Sequence, residues 1–151
     1  MRTETGRLII MACSASKAAD PKPLPAYERY TGVAYRVMQR YVEARRSLPR
    51  LYILSAKHGL IGCMEPITSY NVRMNKTEAE WQRPENTRRL HAGLCPGIEH
   101  VFVFLGRDYR RAIDLAELEA LPNCQVVQAQ GGIGQMLHQF KEWLYEEETH
   151  G

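Results

Sequence analysis

Four short segments of this chain gather side chains that could do chemistry. Cys13-Ser14-Ala15-Ser16-Lys17 offers two hydroxyls and an ammonium, donors suited to a phosphate or a sugar hydroxyl. It lacks the glycines of a P-loop, and a solvated turn would carry the same residues. Ser55-Ala56-Lys57-His58-Gly59-Leu60 offers an imidazole that titrates near neutrality and an ammonium able to hold an anion or a negative leaving group. In Gly106-Arg107-Asp108-Tyr109-Arg110-Arg111 the carboxylate either caps a helix or activates water, and the three arginines suit phosphates. Gln130-Gly131-Gly132-Ile133-Gly134-Gln135 lets a ligand approach the backbone ahead of a helix N-terminus, although a tight turn explains it equally well. Tyrosines outnumber phenylalanines eight to three. Tyr27, Tyr30 and Tyr35 interleave with Arg29 and Arg36, and Tyr70 sits beside Asn71. Rings near cations suit base stacking, and rings at helical spacing also suit packing.

These segments follow apolar runs. Residues 7–13, 51–55, 100–105 and 124–128 read as buried strands. Residues 32–46 read as a helix with Val33, Val37, Met38, Tyr41 and Val42 toward one face, punctuated by Pro49. A long irregular stretch spans 56–76. Thr77 and Glu80 suggest a capping box for a polar helix to about residue 94, weakened by Pro84. Helices follow at 109–118 and after Gly134, the last burying Ile133, Met136, Leu137, Phe140 and Leu144. Strands alternating with helices predict one α/β domain over 1–151. Its four- to five-stranded, mostly parallel sheet carries helices on both faces, a Rossmann-like arrangement. In such sheets ligands sit at the carboxyl ends of strands, where all four polar segments fall.

The chain has 151 residues, 44% hydrophobic and 25% charged, a globular composition that needs no disulfide or metal to fold. Cysteines at 13, 63, 95 and 124 form no Cys-x-x-Cys pair, so most of them read as buried small hydrophobes, with no metal site. The longest apolar run is too short to span a bilayer, and no signal peptide is evident, so the expected compartment is the cytoplasm. Residues 1–111 carry net charge +9 and residues 112–151 carry −6. That asymmetry allows a basic face for a phosphate-bearing partner, or basic and acidic elements packed side by side.

In order along the chain stand Cys-Ser-x-Ser-Lys from Cys13, Leu-Pro-Ala-Tyr-Glu-Arg-Tyr-Thr-Gly ending at Gly32, Leu-Ser-Ala-Lys-His-Gly-Leu ending at Leu60, Leu-Gly-Arg-Asp-Tyr ending at Tyr109, and Gly-Ile-Gly-Gln-Met-Leu ending at Leu137. Together they resemble a family of small bacterial and phage proteins long filed as a domain of unknown function. The opening motif is also similar to the lysine-bearing segment of archaeosine synthases, which modify a deazaguanine base in transfer RNA, but lacks the Lys-Pro-Tyr beside it there. The neighbourhood of such domains includes nucleobase-modification enzymes and prokaryotic antiviral DNA glycosylases, which implies a nucleobase substrate.

The expected activity is that of an N-glycosidase excising a modified base from DNA, with no cofactor. Asp108 positions water or stabilises the sugar cation, and Lys57 or His58 stabilises the departing base. Ser14, Ser16 and Lys17 hold the sugar or its phosphate, with Ser55, Tyr70 and Asn71 beside them. Tyr27 or Tyr30 stacks on the base, Gly132, Gly134 and Gln135 read its edge, and Arg36, Arg40, Arg107, Arg110 and Arg111 take phosphates. A hydrolase or transferase of free nucleotides is the alternative, and a non-catalytic DNA- or nucleotide-binding module the second.

Overall fold

Alternate residues of the first apolar run pack to opposite sides of a sheet. Ile9 and Met11 join one buried cluster, Leu8 and Ile10 another. A strand covered on both faces reads as unbroken apolar sequence. The computed structural model describes residues 2–94 and 97–146, and Cys95 lies outside them. The strands are β1 (Arg2–Ala12), β2 (Leu24–Pro25), β3 (Ser47–Ser55), β4 (Gly59–Gly62), β5 (Pro66–Ile67), β6 (His100–Phe104) and β7 (Gln125–Gln128). The helices are α1 (Ala26–Arg29), α2 (Val33–Arg45), α3 (Lys76–Gly93), α4 (Arg107–Arg110), α5 (Ala116–Glu119) and α6 (Ile133–Tyr145). Five strands form one sheet in the order β4-β3-β1-β6-β7, with only β4 antiparallel. Residues of α2 and α6 cover one face, while α3, α5 and the chain around Ile113 cover the other. The α/β sheet with helices on both faces is thus the observed architecture. Among the described residues no helix is long and apolar enough to cross a membrane.

Long-range bonds reshape several elements. β1 reaches back to Arg2 because Arg2–Glu4 pair with Ser47–Pro49 across an irregularity before Leu8. Pro49 therefore lies inside β3. Stretch 56–76 is not wholly irregular: β4 folds back on β3 and β5 pairs with β2. Asn75, not Thr77, caps α3, its side chain accepting the Glu78 N–H at 2.8 Å. Pro84 stands on the exposed side of α3, where its missing N–H does least harm. The expected helix at 109–118 is instead α4 and α5. Asn86 Nδ2 donates to Ala112 O at 2.9 Å and Asp114 N–H to Thr87 Oγ1 at 3.0 Å, pinning the connecting chain. Val33 and Ile133, expected to face inward, are 55% and 65% exposed. Cys13, Cys63 and Cys124 are partly rather than fully buried.

Candidate active site

The chain leaves β1 toward β3 on one side and leaves β6 toward β7 on the other. Their parallel carboxyl ends flank a topological switch point, where α/β sheets open a crevice. Two cavities lie there. One, of about 350 Å³, is largely apolar and lined by Met11, Tyr35, Phe104, Ile133 and Met136. The other, of about 380 Å³, is the more polar, with Lys17, Asn71, Arg73 and Asp108 in its lining beside Val72 and Met74. Cys13, Ser14 and Tyr109 line both.

Local packing sets the wall formed by the loop after β1. Ser14 Oγ donates to Ser16 O at 2.6 Å and accepts the Gly32 N–H at 3.2 Å. A Cβ on Gly32 would stand 2.8 Å from Ser14 Cβ, so this approach requires glycine. Arg29 is fully buried and donates to the carbonyls of Ala18, Asp20, Lys22 and Ile67, clasping the rest of the loop. Lys17 Nζ lies 4.4 Å from the Tyr70 ring centroid, a cation–π distance.

Beneath this wall runs a chain of hydroxyls. Ser55 Oγ accepts the N–H groups of Lys57 and His58 at 3.1 and 3.0 Å, so its own proton goes to Tyr70 at 2.8 Å. Tyr70 in turn meets Tyr30 at 2.6 Å. Tyr109 shares a hydrogen bond with Cys13 Sγ at 3.1 Å. Burial pushes the hydroxyls of Tyr30, Tyr35, Tyr70 and Tyr109 above their ordinary value, and all four stay protonated donors at neutral pH.

Asp108 does not cap a helix. Gly106 holds that position, and Asp108 stands in the first turn of α4 with its carboxylate 3.9 Å from Arg111 and half exposed. The carboxylate is therefore available to the polar cavity.

The fold brings Ser14, Lys17, Asn71 and Asp108 around one cavity. It does not bring Lys57 and His58 to it. They line a separate cavity under α3 and approach the Tyr70 ring. Tyr30 and Ser55 are fully buried, so neither offers a free contact, and Tyr70 is half-buried with its hydroxyl engaged. Ser16 is exposed, and its carbonyl is held by Ser14 and Thr31. Tyr27 is half-buried, its N–H donating to Cys63 O. Gly134 and Gln135 line another hollow with His138, and Gln135 Oε1 accepts the Gly132 N–H, tying it to its own helix. Arg36, Arg40 and Arg107 are exposed. Arg110 is committed to the carbonyls of Leu105 and Ala129. Arg111 pairs with Asp108. Sequence reasoning missed Arg73, whose signal was its place two residues after Asn71 in the same loop.

A family model described as a family of unknown function (DUF6884) matches residues 8–142. The chain belongs to that family. No curated protein matches it. The crystal structure of AF0587, a protein of unknown function, is similar at a TM-score of 0.48 and 14% identity. That similarity covers 97% of this chain and 45% of the other, so this chain spans less than half of that protein. The family match takes in the switch-point loops of both β1 and β6, and hence both cavities.

Proposed function

We propose that this chain is an N-glycosidase that releases a modified nucleobase from DNA. The observation that carries the reading is the meeting of an apolar and a polar cavity at Cys13, Ser14 and Tyr109. A nucleotide has the same division: a flat base that stacks, then a sugar and phosphate that hydrogen-bond. The base occupies the apolar cavity beside Tyr35, Phe104 and Met136. Lys17, Arg73 and Asn71 take the phosphate.

In the reaction the C1′–N bond breaks and its electron pair leaves with the base. Asp108 stabilises the sugar cation and accepts a proton from the water whose oxygen bonds to C1′. Tyr109, kept protonated by burial, donates to the departing base while the Cys13 S–H donates to the Tyr109 oxygen. This replaces Lys57 and His58 in that role, because both line the other cavity. In duplex DNA the base must first be extruded, which favours modified or weakly paired bases. The implied similarity to antiviral glycosylases makes modified phage DNA the first substrate to try. A free nucleoside is the second reading, favoured by an apolar cavity of about 350 Å³ that suits one base at a time.

The test is incubation with DNA carrying modified cytosines, followed by alkali and mass spectrometry of released bases. Asp108→Asn is expected to slow release by about 10²- to 10⁴-fold with the fold intact. Tight DNA binding without abasic sites on any modified DNA overturns the glycosidase reading. Release from nucleosides alone assigns the small-molecule substrate.

A further inference from the structure

Trp81 on α3 is 81% exposed, whereas Trp143 is buried at 6%. An exposed indole at the lip of a cavity offers an aromatic face on which a base can stack. The cavity is the one of about 350 Å³ that Lys57 and His58 line.

Its polar groups divide into spent and unspent. Gln82 donates to Ala56 O and Ser55 O, and Asn86 Oδ1 accepts the Leu60 N–H, so both amides serve the backbone. Glu85 bonds Arg88 and Arg89 at 2.5 and 3.2 Å, and Glu78 accepts from Gln82 at 3.0 Å. Arg89 also donates to the carbonyls of His58 and Leu60. Two groups remain. Lys57 Nζ sits 5.8 Å from the Tyr70 ring centroid. His58 Nε2 is buried with no hydrogen-bond partner among the described residues. Burial, then the charge of Lys57, lowers the His58 pKa, so the imidazole is neutral at pH 7, with one nitrogen to donate and one to accept.

The Tyr70 ring lies close to a cation from each cavity, Lys57 here and Lys17 at the candidate active site. Lys17 approaches the same ring at 4.4 Å from the polar cavity. Both ammonium groups thus lie near one ring centroid, at 4.4 and 5.8 Å, which makes the two cavities neighbours.

We infer that the Trp81 cavity is a second nucleotide subsite, which takes a neighbouring residue of the strand held in the active-site cavities. The inference rests on the nucleic-acid reading above. The neighbouring base stacks on Trp81, and Lys57 takes its phosphate. Stacking on an exposed aromatic tolerates any base, so this subsite adds strand affinity and no sequence preference.

The test uses the full chain, a thymidine mononucleotide and a short oligothymidylate, read by tryptophan fluorescence. The oligothymidylate is expected to quench Trp81. Trp81→Ala should weaken its binding about tenfold, with unchanged circular dichroism and unchanged base release from a free nucleoside. Lys57→Gln should lower the salt slope of binding by about one. Unchanged oligothymidylate affinity in Trp81→Ala overturns the subsite, whatever the enzyme activity. Quenching without base release from any substrate overturns the glycosidase reading and leaves the subsite standing. Self-association that Trp81→Ala abolishes, with no quenching by oligothymidylate, assigns this face to a second copy of the chain and also overturns the subsite.

Discussion

Midway along β1, Arg7 is 7% exposed. Its guanidinium bonds Glu4 and Tyr41 at 2.8 Å, reaches the carbonyls of Trp143 and Leu144, and stacks 4.5 Å from the Trp143 ring centroid. Glu4 also accepts from Tyr41 and Ser47. At the carboxyl end of the same strand, Lys17, Arg73 and Asp108 surround a cavity, with Lys17 Nζ donating, among the described residues, to Ala15 O alone at 3.3 Å and Asp108 half exposed near Arg111. Both clusters mix cations, a carboxylate and tyrosines. The first spends its hydrogen bonds on β1, α2, β3 and α6. The second keeps polar groups turned to space. Burial and bond satisfaction, not residue type, separate a cluster that holds the fold from one suited to hold a ligand.

That contrast can be broken by stability measurements. Arg7→Met strips a buried carboxylate of its cation and leaves two carbonyls without their donor, so urea denaturation should show a loss of about 3–5 kcal/mol. Asp108→Asn should change stability by less than about 0.5 kcal/mol while slowing base release by about 10²- to 10⁴-fold. Equal losses would erase the distinction. A smaller effect is expected at Gly59, whose φ of +72° suits glycine and whose added Cβ would stand 2.6 Å from Asn86 Oδ1. Gly59→Ala should cost about 1–3 kcal/mol in thermal unfolding, since the turn carrying Lys57 and His58 is itself clamped by buried bonds. An unchanged melting temperature would mean that this turn is free to move.

The weakest effect sharpens the contrast through pH. Burial raises the Glu4 pKa, but hydrogen bonds from Arg7, Tyr41 and Ser47 outweigh it and hold the carboxyl below its ordinary value of 4.5. A depressed carboxylate stabilises the fold above its unfolded pKa, and that contribution is lost as pH falls through the folded value. Denaturation at descending pH should therefore show an acid-side loss below about pH 4.5 that is shallower in Glu4→Gln. Identical acid limbs would remove Glu4 from the account.

β1, β3 and β6 and the inner faces of α2 and α6 were legible because covered strands need unbroken apolar runs and amphipathic helices repeat every 3.6 residues, whereas β7, read as a buried strand, is a half-exposed edge strand with Val127 41% exposed, and the short β2, β4 and β5 were not foreseen. The same logic located the strand ends, and so the rim on which Ser14, Lys17 and Asp108 stand. The inner stripe of α3 was not legible. It holds Ala79, Gln82, Asn86 and Leu90, and two buried amides leave no apolar period. Those amides find their partners in Ser55, Ala56, Leu60 and Ala112, far away along the chain. That clasp seats the Lys57–His58 turn under α3 and parts it from Asp108.

Local composition and periodicity were thus enough to specify an α/β sheet and the side chains at its carboxyl rim. Which of those side chains share a cavity, which are spent on backbone carbonyls, and which rings are buried depended on packing between distant segments. The physical reason is that backbone preference and hydrophobic period act over a few neighbouring residues. A hydrogen bond such as Asn86 to Ala112, 26 positions apart, exists only once the helix and the sheet have met.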